Sequence, residues 1–195
     1  MKTLQPGDEV ISTNDLYGGS YRLFTKVYTQ YGIKFHFVNM GDLANIEAKV
    51  NDKTRLIWVE TPTNPMMNII DVAGAAAIAK KHNVLLAVDN TFATPYLQTP
   101  LDLGADIVMH SVTKYLGGHS DVVAGVVSGS KAHMSKIFYS EYMTTGAGCT
   151  PFHAWLLLRG LPLVLVRPWV PVLARLWRRL GAVVSQVLHG SRLAF

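Results

Sequence analysis

The chain has 195 residues, 49% of them hydrophobic and 16% charged, with a mean hydropathy of +0.21 and a formal net charge of +5. That balance excludes a disordered chain, which needs low hydrophobicity and high charge, and 16 glycines with 9 prolines exclude a collagen-like or low-complexity one. The single cysteine, Cys149, excludes an internal disulfide framework and a CxxC-type zinc site, and points to a reducing compartment.

In chain order, residues 7–12 read as a turn into a short strand and residues 16–20 as a glycine-rich turn. Residues 21–31 then carry apolar side chains at helical spacing, at Leu23, Phe24, Val27, Tyr28 and Tyr31. Residues 34–38 alternate as a strand does, residues 45–50 suit a short helix, and residues 55–60 form a compact apolar run expected to be a buried strand. Thr61-Pro62-Thr63-Asn64-Pro65 must be a loop, since its prolines forbid regular pairing. Residues 71–82 are alanine-rich and helical, with Asp71 placed to cap them. Further strands are expected at 84–88, ending at Asp89, at 107–110 and at 122–127. This alternation predicts an α/β domain with a mostly parallel sheet and flanking helices, whose ligands gather at the carboxyl ends of the strands. Glu60, Asp89 and the segment from Ser111 to Lys114 fall there.

Charge does not favour nucleic acid. Residues 1–141 carry 12 Lys and Arg against all 13 Asp and Glu, so the positive excess lies in residues 142–195, which hold six Arg and no Lys or acid. A nucleic-acid face gathers its cations on one element instead. The first nine residues have no apolar signal segment, and no run of about 18 uninterrupted apolar residues exists, so neither membrane nor export is expected and the chain is placed in the cytoplasm. No histidine pair has metal-binding spacing, so no metal is expected.

The chemistry concentrates at two strand ends. Lys114 follows a strand and precedes Gly117-Gly118, with Ser111 and Thr113 as hydroxyl donors to an anion. It is expected to be buried, the ordinary alternative being a lysine that snorkels to solvent. Asp89 ends an apolar strand, where a carboxylate needs a partner; the ordinary alternative is a turn with Asn90 and Thr91. An amine able to form a Schiff base and an acid able to keep a pyridine nitrogen protonated are the pair that pyridoxal phosphate chemistry requires. Tyr17, before two glycines, is either a turn aromatic or a ring stacked on a flat cofactor.

Four segments in order, Asp15-Leu16-Tyr17-Gly18-Gly19-Ser20-Tyr21-Arg22, Glu60-Thr61-Pro62-Thr63-Asn64-Pro65, Val88-Asp89-Asn90-Thr91-Phe92 and Ser111-Val112-Thr113-Lys114-Tyr115-Leu116-Gly117-Gly118-His119-Ser120-Asp121, closely resemble the Cys/Met-metabolism (transsulfuration) family of fold-type I pyridoxal phosphate enzymes. The resemblance implies the aspartate aminotransferase-like large domain and assigns roles. Lys114 would hold the cofactor covalently and move protons, with Tyr17 stacked on its ring and assisting. Asp89 would pair with the ring nitrogen, Ser111 and Thr113 would bind phosphate, Asn64 would approach the phenolic oxygen, and Glu60 would support the pocket wall.

The implied activity is γ-replacement or γ-elimination on a small sulfur amino acid, of the cystathionine γ-synthase or γ-lyase type. Methionine γ-lyase or O-acylhomoserine sulfhydrylase activity is an alternative, and a catalytically inactive fragment another. The family's assembly is a homotetramer, a dimer of dimers. The resemblance runs from about residue 7 to 161, so residues 1–161 are expected to be a partial cofactor-binding large domain without the N-terminal arm. Residues 162–195, with two Trp and no Lys, Asp or Glu, are expected to be an atypical tail, possibly out of frame, in place of a C-terminal domain.

Overall fold

The computed structural model describes residues 1, 3–146 and 148–166. Strand β1 (Glu9–Thr13) leads to helix α1 (Gly18–Arg22), which runs on through a π turn (Leu23–Val27) and a 3-10 turn (Tyr28–Tyr31) before β2 (Lys34–Val38). Then come α2 (Ala44–Glu47), β3 (Thr54–Glu60), α3 (Val72–Lys81), β4 (Leu85–Asp89), α4 (Thr94–Leu97) and β5 (Ile107–Ser111). The described part closes with β6 (Gly125–Gly129), α5 (Lys131–Ile137), α6 (Met143–Thr145) and α7 (Pro151–Val166).

The strands lie in one sheet, in the order β2-β1-β3-β4-β5-β6. The first five are parallel, and β6 runs antiparallel to β5. Between β1 and β3 the chain reverses the direction in which it lays down strands, and this reversal opens a crevice at their carboxyl ends. Period-2 alternation divides the side chains between the two faces. One face gathers Ile11, Ile57, Val59, Leu86, Val88 and Val108 under α3 and α2. The other gathers Val10, Leu56 and Ala87 beneath Tyr28, Phe35 and Trp58, with Phe24 stacked on Phe35 and edge-on to Trp58.

Two expectations are corrected. The glycine-rich turn at 16–20 is instead the entry of α1, because the Tyr17 carbonyl accepts the Tyr21 N–H at 3.0 Å and starts the helix on Gly18 and Gly19. The strand expected at 122–127 begins later, at Gly125, where pairing with Ser111 starts. Helix α7 runs past Gly160 without a break. A side chain at Gly160 would meet the Gly117 carbonyl at 2.1 Å, so the bare backbone packs there and the helix continues through Pro162 to Val166. Asp71 does cap α3, its Oδ1 accepting the Gly74 N–H at 3.0 Å. The expected tail from residue 167 onward lies outside the described residues.

Candidate active site

At the carboxyl ends of β3, β4 and β5 lies a cavity of about 440 Å³, and all seven singled-out residues line it: Tyr17, Glu60, Asn64, Asp89, Ser111, Thr113 and Lys114. Alternation puts Glu60, Asp89 and Ser111 on its side of the sheet, because each is the last residue of its strand and Glu60 pairs with Asp89 in register. Two ends meet at the chain reversal. The Glu60 carboxylate accepts the Tyr17 N–H through both oxygens, at 2.9 and 3.1 Å, and so carries the turn that presents the Tyr17 ring. Asp15 ties the same turn to the proline loop, its Oδ2 accepting from the Thr63 hydroxyl and from the Met66 N–H at 3.1 Å.

Burial pushes the Glu60 carboxyl up to about 7, helped by the nearby charges of Asp89 and Asp15 and opposed by the N–H groups of Tyr17 and Asn64. Asp89 is 6% exposed, and burial raises its carboxyl above the usual range. Thr91 opposes that rise, donating to Asp89 Oδ1 from its hydroxyl at 2.5 Å and from its N–H at 3.0 Å. The turn read as an ordinary alternative is therefore present, and it leaves Oδ2 without a bond from any described residue. A buried carboxylate with one oxygen spare suits a cationic N–H donor.

Lys114 corrects a further expectation: it is exposed, not buried. It stands in the turn beyond β5, where its N–H reaches the Ser111 carbonyl at 3.1 Å and its carbonyl accepts the Gly118 N–H at 2.9 Å. That turn is shared with a second cavity of about 600 Å³, which Thr113, Lys114, Tyr115, Ser120 and Asp121 line. Lys114 thus lines both cavities and is exposed. Thr113 bonds both ways with the Ala124 backbone, at 3.1 and 3.2 Å, so its hydroxyl proton is already given away. The Ser111 hydroxyl makes no bond to another described residue and is the freer donor. Tyr17 is 52% exposed, its ring at the cavity wall.

Sequence reasoning assigned no site role to Ser20, Met109 or Thr91, which also line the cavity. The strand register could have found Met109, since it pairs with Asp89. Among the described residues no group of three or more His, Cys, Asp or Glu could hold a metal. An amine, a buried acid with a spare oxygen, a hydroxyl and an aromatic wall fit a phosphorylated pyridine aldehyde: carbonyl, ring nitrogen, phosphate and ring face each meet a group suited to it.

The profile of the family described as Cys/Met metabolism PLP-dependent enzyme matches residues 1–168. The chain is 48% identical over 166 residues to a cystathionine gamma-synthase of Mycobacterium leprae, covering 84% of this chain and 42% of that protein. It is 48% identical over 162 residues to a cystathionine beta-lyase of Lactococcus lactis, covering 83% and 42%. Among solved structures, a cystathionine gamma-lyase from Lactobacillus plantarum complexed with L-serine superposes with a TM-score of 0.85 at 41% identity, over 92% of this chain and 48% of that one. The chain thus spans less than half the length of these relatives.

Proposed function

Since the chain belongs to the Cys/Met metabolism family of pyridoxal phosphate-dependent enzymes, we propose that it binds this cofactor in the 440 Å³ cavity and acts on a small sulfur amino acid, by γ-replacement or γ-elimination of the cystathionine γ-synthase or γ-lyase type. One observation carries the reading: seven residues from four separated segments line a single cavity at the strand ends. The chemistry supplied by bound pyridoxal phosphate is electron withdrawal from the substrate's α-carbon.

The chain's own groups do the rest. Lys114 would hold the cofactor at its aldehyde carbon. When not engaged with the cofactor, the Lys114 amine would serve as the base that moves protons at the substrate's Cα and Cβ. Asp89 Oδ2 keeps the proton on the ring nitrogen. Ser111 and, after its hydroxyl turns from Ala124, Thr113 anchor the phosphate, while Tyr17 covers the ring and Asn64 lies toward the phenolic oxygen. Glu60 holds Tyr17 in place. The second cavity, which shares Lys114, receives the amino-acid side of the reaction.

The domain proposal keeps residues 1–161 as the cofactor-binding part and 162–195 as a tail of different composition, with helix α7 running across that boundary to Val166. A cytoplasmic dimer of dimers goes with this function, and the exposed rings of Tyr139, Phe152 and Trp155 are surfaces such an assembly would cover. Among the described residues no helix is long and apolar enough to cross a membrane.

The test is titration with pyridoxal phosphate, followed by borohydride reduction and peptide mapping. The reading expects a saturable visible band and label on Lys114, both lost in Lys114→Ala. Labelling scattered over surface lysines, undiminished in that variant, would overturn it.

A further inference from the structure

Thr91 is the hinge between two parts of the site that no other described side chain connects. Its hydroxyl donates to Asp89 Oδ1 at 2.5 Å and accepts the Ser111 N–H at 2.8 Å. Its own N–H donates to the same Oδ1 at 3.0 Å. One hydroxyl therefore spans the ends of β4 and β5, with its single proton and one lone pair both in use. Both bonds to the acid fall on Oδ1, which sets the rotation of the carboxylate and leaves Oδ2 as the oxygen available to a ligand.

We propose that Thr91 is a positioning residue that locks the Asp89 carboxylate and the Ser111 backbone into one unit, so that the acceptor for a ring nitrogen and the anchor for a phosphate keep one spacing. The inference rests on the cofactor reading above. A rigid ring that carries its nitrogen and its phosphate arm at fixed positions rewards such a lock, since a carboxylate free to rotate would have to be oriented at each binding event. Direct pairing of the two strands places Met109, not Ser111, beside Asp89. The ladder alone does not join the two groups. The Thr91 bonds also favour the ionised form of Asp89 against its burial, as an acceptor for a protonated nitrogen requires.

The experiment compares Thr91→Val, which keeps the shape and loses the hydroxyl, with Thr91→Ser, which keeps the hydroxyl, in the full 195-residue chain. Amide hydrogen exchange without cofactor reads the link at Ser111, and absorbance titration with pyridoxal phosphate reads its use. The expected result is a Ser111 amide that exchanges about tenfold faster in Thr91→Val, with a Kd for pyridoxal phosphate raised about tenfold and both restored in Thr91→Ser.

Unchanged Ser111 protection in Thr91→Val overturns the proposal, as does equal loss in Thr91→Ser, which would make the residue's bulk the cause. If Thr91→Val does not fold, Thr91→Ala gives the same comparison. If neither folds while Thr91→Ser does, the hydroxyl serves the fold and the positioning role is overturned. A wild-type chain that shows no saturable band defeats the cofactor reading, while the exchange at Ser111 still decides whether Thr91 forms the lock.

Discussion

Replacing Asp89 by asparagine keeps the shape at the end of β4 and removes its charge. The amide cannot balance a protonated ring nitrogen, so the Kd for pyridoxal phosphate should rise about 10- to 100-fold by absorbance titration, the size expected for one charge-assisted bond. Glu60 makes a different prediction. Its folded pKa of about 7 lies above the ordinary 4.5, so the folded state holds a proton that the unfolded state has released. The Glu60 contribution to stability is therefore full below pH 4.5 and is lost as pH rises through about 7, by at most about 3 kcal/mol and less where cavity water screens the charge. Glu60→Gln keeps an oxygen for the Tyr17 N–H and should flatten that decline in urea unfolding measured from pH 5 to 8.

At this scale the sequence was legible wherever a residue's role depends on its place at a strand end, as for Glu60, Asp89 and Ser111. It was not legible where exposure depends on what else covers a turn, as for Lys114. Thr91 stayed hidden because its bond to Ser111 crosses 20 positions and exists only once β4 and β5 are side by side.

Among elements, periodicity located β2 to the residue and β3, β4 and β5 to within one or two, because buried strands need apolar runs bounded by turns. The entry of α1 differs from the expected turn because glycine there is helical rather than punctuation, and Gly160 inside α7 is helical too. At Gly18 and Gly19 it is helical, with the turn before it held by Glu60 from another strand. At Gly160 it allows helix α7 to touch the carbonyls of Leu116 and Gly117, in the turn that bears Lys114. A methyl group at that position would lie 2.1 Å from a backbone oxygen, so backbone has to move. Gly160→Ala should cost about 1–3 kcal/mol in urea unfolding. It should also slow borohydride-trapped labelling of Lys114, since the turn shifts with the helix.

Over the whole molecule, ionisation at one end of the sheet opposes that at the other. Far from the cavity, Glu9 on β1 bonds His36 on β2 at 2.6 Å and Asn51 at 2.8 Å, with Lys34 3.5 Å away. The Asn51 and His36 bonds, with the Lys34 charge, hold its carboxyl down at about 2. Its contribution is present above pH 4.5 and lost as pH falls toward 2, the reverse of Glu60. Stability should climb from pH 2 to 4.5 and decline from there to 7, with Asp89 adding to the decline. Glu9→Gln should flatten the lower limb alone, and Glu60→Gln the upper alone, in unfolding curves taken across that range.

The reversed direction of β6 bears on how the reactive amine is carried. A parallel strand in its place would have sent the chain after β5 the full depth of the sheet and back. Because β6 runs the other way, its first residue, Gly125, lies beside Ser111, the last of β5. The segment that bears Lys114 therefore leaves and re-enters the sheet at the same rim, clasped at its base by Thr113 and Ala124. It is a handle with both ends fixed to one edge of the vessel: its span can lengthen or shorten while the vessel's walls keep their order.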